Sequence, residues 1–469
     1  MTPAWHLKHE FIKKPYDVQV EAMRRAAGHE KYGFWCEMGL GKTALVLNDY
    51  VDQFSDCDTI FAISPNSFKM DWALAPSEWG LSEITTSVWP KEQMRTGTAT
   101  RPHLNSINFE AVRSSGYDPM REIMDKRDCL LIVDESSAIK NFKSQTARAV
   151  LDLAKRAKAV RLLNGTPMTQ NVLDLFPQLK ALGELNGMNP YVFRNKFAMT
   201  GGFMGKQIVG VRNEDELHAI QERCSFRALK KDWSDLPEKI YVPMNLEMTN
   251  NQKKHYSEML RDFYTMVNDT EFSVQMVINQ QDKLRQITSG VLMDGDKFVL
   301  IDPPEKNPKI NAALDILDSG PGKMIIVHMY TKMGHVIFDQ MTKHGYNPAY
   351  IRGGMSPEEV IEEKRKFNQD SSCRVLVGQI QSASKAHTLL GGAGDDRCHK
   401  TFFHDLTFSL LDRKQMEDRN HRGAQDKAVL YYDPIMSPID KAQMDALLKK
   451  QSMASLVVDA VRAMRGKLN

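Results

Sequence analysis

The sequence predicts an α/β protein of two doubly wound, parallel-sheet lobes. Short apolar runs recur, each with turn residues beyond it. The first group is YGFWC (32–36), TIFAIS (59–64), CLLIVD (129–134) and AVRLLN (159–164). The second is KMIIVHM (323–329), RVLVGQI (374–380), KTFFHD (400–405) and AVLYYD (428–433). Such runs suit parallel strands buried on both faces. Helical stretches with polar residues, such as TALVLNDYVDQF and SPEEVIEEKRKFNQD, lie between them, and this alternation indicates doubly wound sheets. The two groups are separated by a longer region of different character.

That middle region reads as helices at DLFPQLKALGEL, NNQKKHYSEMLRDFYTMVND and FSVQMVINQQDKLRQITSG, with one strand-like piece at KIYVPMNL. DPPEKNPK (302–309) is proline-rich and charged, which suits a linker. The final stretch, from SPIDKAQ onward, is helical and ends basic.

The totals exclude several classes. A chain of 469 residues with 42% hydrophobic and 26% charged residues is ordinary globular material. A net charge of +3 does not announce a nucleic-acid partner, although a local basic cleft can hide in the total. The six cysteines never form C-x-x-C, so neither a zinc ribbon nor a disulfide framework is supported. No apolar run approaches a membrane span and no secretory signal opens the chain. The expectation is a soluble cytoplasmic protein without membrane contact.

Three stretches carry chemistry. GFWCEMGLGKTALV (33–46) places Gly-Lys-Thr between a strand and a helix. Glycines there let backbone N–H groups approach phosphates, and the helix N-terminus favours their charge. Lys42 would reach the β/γ-phosphates and the Thr43 hydroxyl a Mg²⁺ ion. The usual phosphate-loop pattern puts its first glycine at position 36, where this chain has Cys36, so the match also fits a chance turn. LLIVDESSAIKN (130–141) then ends an apolar strand on Asp134 and Glu135. One carboxylate can hold Mg²⁺ through water while its neighbour orients the attacking water. Alone, D-E-S-S also reads as a helix cap. In DRKQMEDRNHRGAQ (412–425), Arg419 and Arg422 stand three apart, on one face of a helix. Guanidinium groups stabilise a transferring phosphoryl group, and the alternative is a solvated, salt-bridged face.

In order and spacing these pieces resemble the Snf2 branch of superfamily 2 helicase-like ATPases, over nearly the whole chain. The loop 36–43 is similar to that family's D-E-M-G-L-G-K-T, in which the glycines fall at Gly39 and Gly41 and none is expected at 36. KPYDVQVEAM resembles the upstream glutamine motif, AISPNSFKMDW motif Ia, INFEAV motif Ib, DESSAIKN motif II and RLLNGTPMTQNVLDLF motif III. LKKDWSDLPEKIYVPMNLEMTNNQKKHYSEML (229–260) is the most family-specific stretch. KMIIVHMY resembles motif IV, AYIRGGMSPEEVIEEKRKFN a stretch the family places near DNA, and QMEDRNHRGAQ motif VI, with Gln415, Arg419, Arg422 and Gln425. Four departures stand out. Cys36 replaces an acidic residue, Ser137 a histidine and Asn164 a threonine, and QIQSASKAHTL (379–389) has none of motif V's glycines.

The resemblance implies two RecA-like lobes with a helical insertion after motif III. The first lobe would occupy 1–300, with a helical subdomain within about 172–295, and the second 301–469 with a C-terminal helix. ATP would be held by Gln19, Met38, Gly39, Leu40, Gly41, Lys42, Thr43 and Asp134, with Gln19 reading adenine. Thr43 and Asp134 would place Mg²⁺ through water. Glu135, Arg419, Arg422 and Lys42 would act in catalysis. Nucleic-acid contacts would fall at Asn66, Ser67, Lys69, Arg352, Gly353 and Ser382. The implied activity is ATP-dependent translocation on duplex or branched DNA, without sequence preference, by a monomer. Alternatives are a strand-separating helicase on DNA or RNA and a nucleotide-gated binding module. Replication or recombination proteins are the expected further partners, in a bacterial cell or encoded by its phage. Cys36, at the strand-to-loop junction, is expected near the phosphates, where alkylation would slow hydrolysis.

Overall fold

The computed structural model describes residues 14–165, 167–168, 171–201, 207–233, 236–268, 274–294, 297–384, 388–407, 409–423 and 425–449. The chain forms two compact units, Met1–Asp235 and Leu236–Asn469.

The first unit carries β1 (Lys31–Cys36), β2 (Thr59–Ser64), β3 (Thr85–Val88), β4 (His103–Asn108), β5 (Cys129–Asp134), β6 (Ala159–Leu163), β7 (Ala198–Gly201), β8 (Gln207–Val211) and β9 (Ser225–Ala228). Seven of them form one sheet, in the order β3-β4-β2-β5-β6-β1-β9, and every neighbouring pair is parallel. The central runs are buried on both faces because each strand feeds two cores. Phe61, Ile63, Leu131 and Val133 join one cluster, while Ile60, Ala62, Leu130 and Ile132 join the other. This is the period-two alternation of a pleated strand, with both faces apolar. The first face is covered by helices Tyr117–Met124, Gln145–Arg156, Leu175–Ala181 and Pro190–Phe197. The opposite face is covered by Asp17–Ala26, Lys42–Gln53 and Lys69–Glu78. The helix Lys42–Gln53 is anchored by a fully buried ion pair, in which Arg161 Nε of β6 donates to Asp49 Oδ2 at 2.7 Å.

The second unit adds β10 (Lys239–Asn245), β11 (Val291–Asp294), β12 (Lys297–Leu300), β13 (Lys323–His328), β14 (Ala349–Ile351), β15 (Val375–Gln379), β16 (Cys398–Phe403) and β17 (Val429–Ile435). Its six-stranded parallel sheet runs β10-β17-β16-β13-β15-β14. The same alternation recurs, with Met324 and Ile326 on one face and Ile325 and Val327 on the other. The expectation of two doubly wound parallel-sheet lobes is met.

The division between the units differs from the expected one after residue 300. β10 pairs with β17 along its whole length, from Lys239↔Val429 to Asn245↔Ile435, and so belongs to the second sheet. The stretch 302–309 is accordingly no linker. Asn307 caps helix Pro308–Asp318 through its Oδ1, and its Nδ2 donates to Ser289 O at 2.9 Å. The helical region splits in two. Residues 172–224 return to the first sheet through β9, after the antiparallel hairpin β7–β8. Helices Asn250–Asn268 and Val274–Ser289 lie in the second unit. The basic tail 450–469 lies outside the described residues.

Candidate nucleotide site and nucleic-acid interface

In a parallel sheet, ligands bind at the carboxyl ends of the strands, where the order of strands switches. β1 ends at Cys36, β5 at Asp134 and β6 at Leu163, and the register sets Phe34 and Asp134 each opposite Leu163. Three candidate segments therefore emerge along one edge.

From Cys36 the chain turns into the loop. Gly39 has φ +90° and Gly41 φ +74°, the left-handed region that favours glycine. Gly41 is the residue immediately before helix Lys42–Gln53. A Cβ at Gly41 would lie 2.3 Å from Gln19 Nε2. Gln19 clamps this loop: its Nε2 donates to Gly41 O at 2.9 Å and its Oε1 accepts from Tyr16 N at 2.9 Å. The side chain is buried and engaged with the loop's own backbone. Glu37 fixes the loop from the other side. Its N–H donates to Ala228 O at 3.0 Å, and its Oε2 accepts from Lys230 N at 2.8 Å. Lys42 Nζ donates to Cys36 O at 3.0 Å.

Cys36, where the resemblance expects an acidic residue, is buried. Its carbonyl faces Lys42, but its thiol is 1% exposed, inside the apolar cluster of Phe34, Leu45 and Ala228. Burial pushes that thiol up to about 12. The side chain of this last strand residue is packed in the core, with the Lys42 ammonium near enough to oppose that rise.

Asp134 is 7% exposed and each of its oxygens holds a donor. Trp72 Nε1 donates to Oδ2 at 3.0 Å and Glu135 N to Oδ1 at 3.0 Å. Burial holds its carboxyl above the usual range, opposed first by the nearby Lys42 ammonium. A buried carboxylate beside a lysine, with a hydroxyl residue at the start of the loop helix, is a donor set of oxygens suited to Mg²⁺. Glu135 sits at φ +54°, ψ 54°. A non-glycine residue rarely adopts this conformation, and such strain concentrates at functional sites.

The third segment, Asn164-Gly165, packs on the loop. A Cβ at Gly165 would stand 3.6 Å from Met38 N and 3.7 Å from Cys36 O. Gln178, fully buried on the helix Leu175–Ala181, joins this segment to the second. Its Oε1 accepts from Ser136 Oγ at 2.8 Å, and its Nε2 donates to Pro167 O at 2.7 Å. Neither Trp72 nor Gln178 stood out in the sequence as site residues, because a lone Trp or Gln on an amphipathic helix carries no local signal.

In the second unit, helix Leu410–Asn420 ends before Arg422. Gln425 Nε2 takes the Asn420 carbonyl at 2.7 Å and stops the helix there. Arg419 lies in the last helical turn, and Arg422 in the turn beyond, where its Nη1 donates to Thr388 Oγ1 at 3.0 Å. The two arginines therefore do not share one helical face, which corrects the expectation from their spacing. The helix itself is held by a buried charge cluster. Arg413 donates to both oxygens of Asp433 and, at 2.7 Å, to Glu417 Oε1; Glu417 Oε2 accepts from Lys239 and Tyr241 of β10 at 3.0 and 2.9 Å.

The nucleic-acid candidates form two sets. Asn66 and Ser67 are exposed at the turn leading into helix Lys69–Glu78, and Asn66 Oδ1 accepts from Asn108 Nδ2 at 3.0 Å. Lys69 Nζ is turned to Trp89 O at 3.1 Å, and burial lowers its pKa. In the second unit, Gln379 Oε1 accepts from Gly353 N at 2.8 Å and draws the Arg352-Gly353 turn against the short helix Ile380–Ala383, which carries Ser382. Residues 385–387 of the glycine-free stretch lie outside the described residues. Among the described residues no helix is long and apolar enough to cross a membrane.

The family model of the SNF2-related domain matches residues 33–291, more than half of the chain. An uncharacterized ATP-dependent helicase of Mycoplasma genitalium is 23% identical over 84% of this chain and 37% of its own length. The DNA annealing helicase and endonuclease ZRANB3 of Bos taurus is 22% identical, over 84% and 36%. The chain thus spans little more than a third of the length of these relatives. Among solved structures, the Sulfolobus solfataricus SWI2/SNF2 ATPase core in complex with dsDNA covers 98% of this chain, with 96% of its own covered, at 19% identity and a TM-score of 0.44.

Proposed function

Since this chain belongs to the SNF2-related domain family, as a helicase-like ATP hydrolase, we propose that it couples ATP hydrolysis to movement along duplex or branched DNA. The observation that carries the proposal is the convergence of the glycine loop, the Asp134-Glu135 pair and Asn164-Gly165 on one carboxyl edge. The loop amides and Lys42 bind the phosphates. Thr43 and Asp134 are the residues that would hold Mg²⁺, which when bound neutralises charge on the phosphates. Glu135 orients and deprotonates the attacking water. Arg419 and Arg422 are the proposed residues that stabilise the charge of the transferring group. Gln19 serves by fixing the loop that the base approaches, with adenine as its further contact.

DNA is the proposed track because a relative matched over 84% of this chain is named a DNA annealing helicase and endonuclease. Asn66, Ser67, Lys69, Arg352, Gly353 and Ser382 are the proposed contacts. Phosphate contacts carry affinity without sequence information, so binding should be salt-sensitive and sequence-independent. The test is the ATPase rate against single-stranded, duplex, forked and four-way DNA and RNA. Stimulation by duplex or branched DNA that disappears in Glu135→Gln, while nucleotide still binds, is the expected result. A wild-type rate indifferent to every nucleic acid rejects the motor.

A further inference from the structure

We propose that Trp72 is a positioning residue that ties the nucleic-acid-facing turn at Asn66–Phe68 to the metal-holding carboxylate of Asp134. The inference rests on the function proposed above and gives that site its regulation.

The geometry is direct. Trp72 lies in the first turns of helix Lys69–Glu78, five residues after Ser67. Its ring is 1% exposed, so the indole moves with the helix rather than on its own. Its N–H donates to Asp134 Oδ2 at 3.0 Å, across 62 residues of sequence. Indole nitrogen is a donor only, so this bond has one possible sense. The other Asp134 oxygen is taken by Glu135 N, the amide of the residue held in the left-handed conformation. Trp72 therefore acts on the same carboxylate that fixes the water-orienting glutamate.

The helix is also framed where nucleic acid would touch it. Ser106 Oγ donates to Lys69 O at 2.8 Å, and Lys69 Nζ donates to Trp89 O at 3.1 Å. Asn66 and Ser67, by contrast, are exposed. A backbone phosphate seated on that turn loads the start of the helix, and the indole carries the displacement to Asp134. Hydrolysis would thus sense the track through one hydrogen bond within the first unit, independently of the altered stretch 379–389.

Trp72→Phe keeps an aromatic ring and removes the N–H. Mg²⁺ half-saturation of ATP hydrolysis should rise about tenfold or more, the worth of one hydrogen bond to a carboxylate. The stimulation factor of duplex DNA should fall, while metal-free ADP affinity stays within about twofold. Unchanged Mg²⁺ half-saturation and stimulation overturn the proposal. An equal loss of metal-free ADP affinity also overturns it, because the residue is then merely structural. If the wild type shows no DNA stimulation, the proposed function fails, and the Mg²⁺ dependence of Trp72→Phe alone decides the tie to Asp134. A second readout needs no variant of Trp72. With 5-fluorotryptophan incorporated, the Trp72 fluorine resonance, assigned by replacing the other tryptophans one at a time, should shift when duplex DNA binds without nucleotide. A resonance unmoved by saturating duplex overturns the proposal.

Discussion

Gly41→Ala tests the loop clamp. A left-handed alanine costs about 1 kcal/mol. Its Cβ would also lie 2.3 Å from Gln19 Nε2, so the amide must leave. That forfeits the bonds to Gly41 O and Tyr16 N, about 1 kcal/mol each. The single substitution should therefore cost about 3 kcal/mol. In a Gln19→Ala background the clash is gone and the bonds are already lost, so the same change should cost only about 1 kcal/mol. The expected coupling is about 2 kcal/mol, readable by a double-mutant cycle. The assay is urea unfolding followed by tryptophan fluorescence. All six tryptophans (5, 35, 72, 79, 89, 233) fall in the first unit, so the signal reports that unit alone. Equal costs of Gly41→Ala in both backgrounds would refute the clamp.

Three further outcomes follow from the structure. Cys36 should resist a thiol reagent at pH 8 in the native protein and react only on unfolding, since burial pushes its thiol up to about 12; mass spectrometry reads the labelling, and rapid modification with loss of activity would contradict the buried placement. Arg161→Met leaves Asp49 buried and unpaired and should cost about 3–5 kcal/mol in the tryptophan-reported transition; adding Asp49→Asn should recover part of it, and a neutral single variant contradicts the anchor. His328 is fully buried beside His404 and Asp405, and burial lowers it to about 4. Its folded pKa lies below the unfolded value of about 6.5. Stability is therefore full above that value and falls as pH drops towards 4, by up to about 3 kcal/mol. Urea unfolding followed by circular dichroism should show this loss in the tryptophan-silent transition, with a shallower slope in His328→Gln; identical slopes would refute it.

The legible parts of this fold were those whose chemistry is local. The eight apolar runs became strands because a parallel strand with two cores needs no polar face. The loop glycines and the Asp134-Glu135 pair were legible for the same reason: phosphate and metal chemistry restrict residue type at fixed offsets. What escaped depends on distant partners. HLNSIN reads as polar, yet it is the buried strand β4, because Thr85–His103, His103–Ser87 and Ser87–Asn105 satisfy one another at 2.7, 3.0 and 3.1 Å. β10 could not be assigned to its sheet without seeing β17, nearly 200 residues later. Arg419 and Arg422 have helical spacing, but the helix stops before Arg422, where the Gln425 amide takes the Asn420 carbonyl. The left-handed Glu135 and the Trp72–Asp134 bond leave no periodic trace at all.

Movement on duplex DNA driven by ATP is tested most directly by triplex displacement. A third strand bound to a duplex track should be released by the wild-type protein with ATP and Mg²⁺, not with a non-hydrolysable analogue, and not by Glu135→Gln. A plain tailed duplex should remain paired under the same conditions. Unwinding of that duplex without triplex release would contradict the account and make the protein a strand-separating helicase.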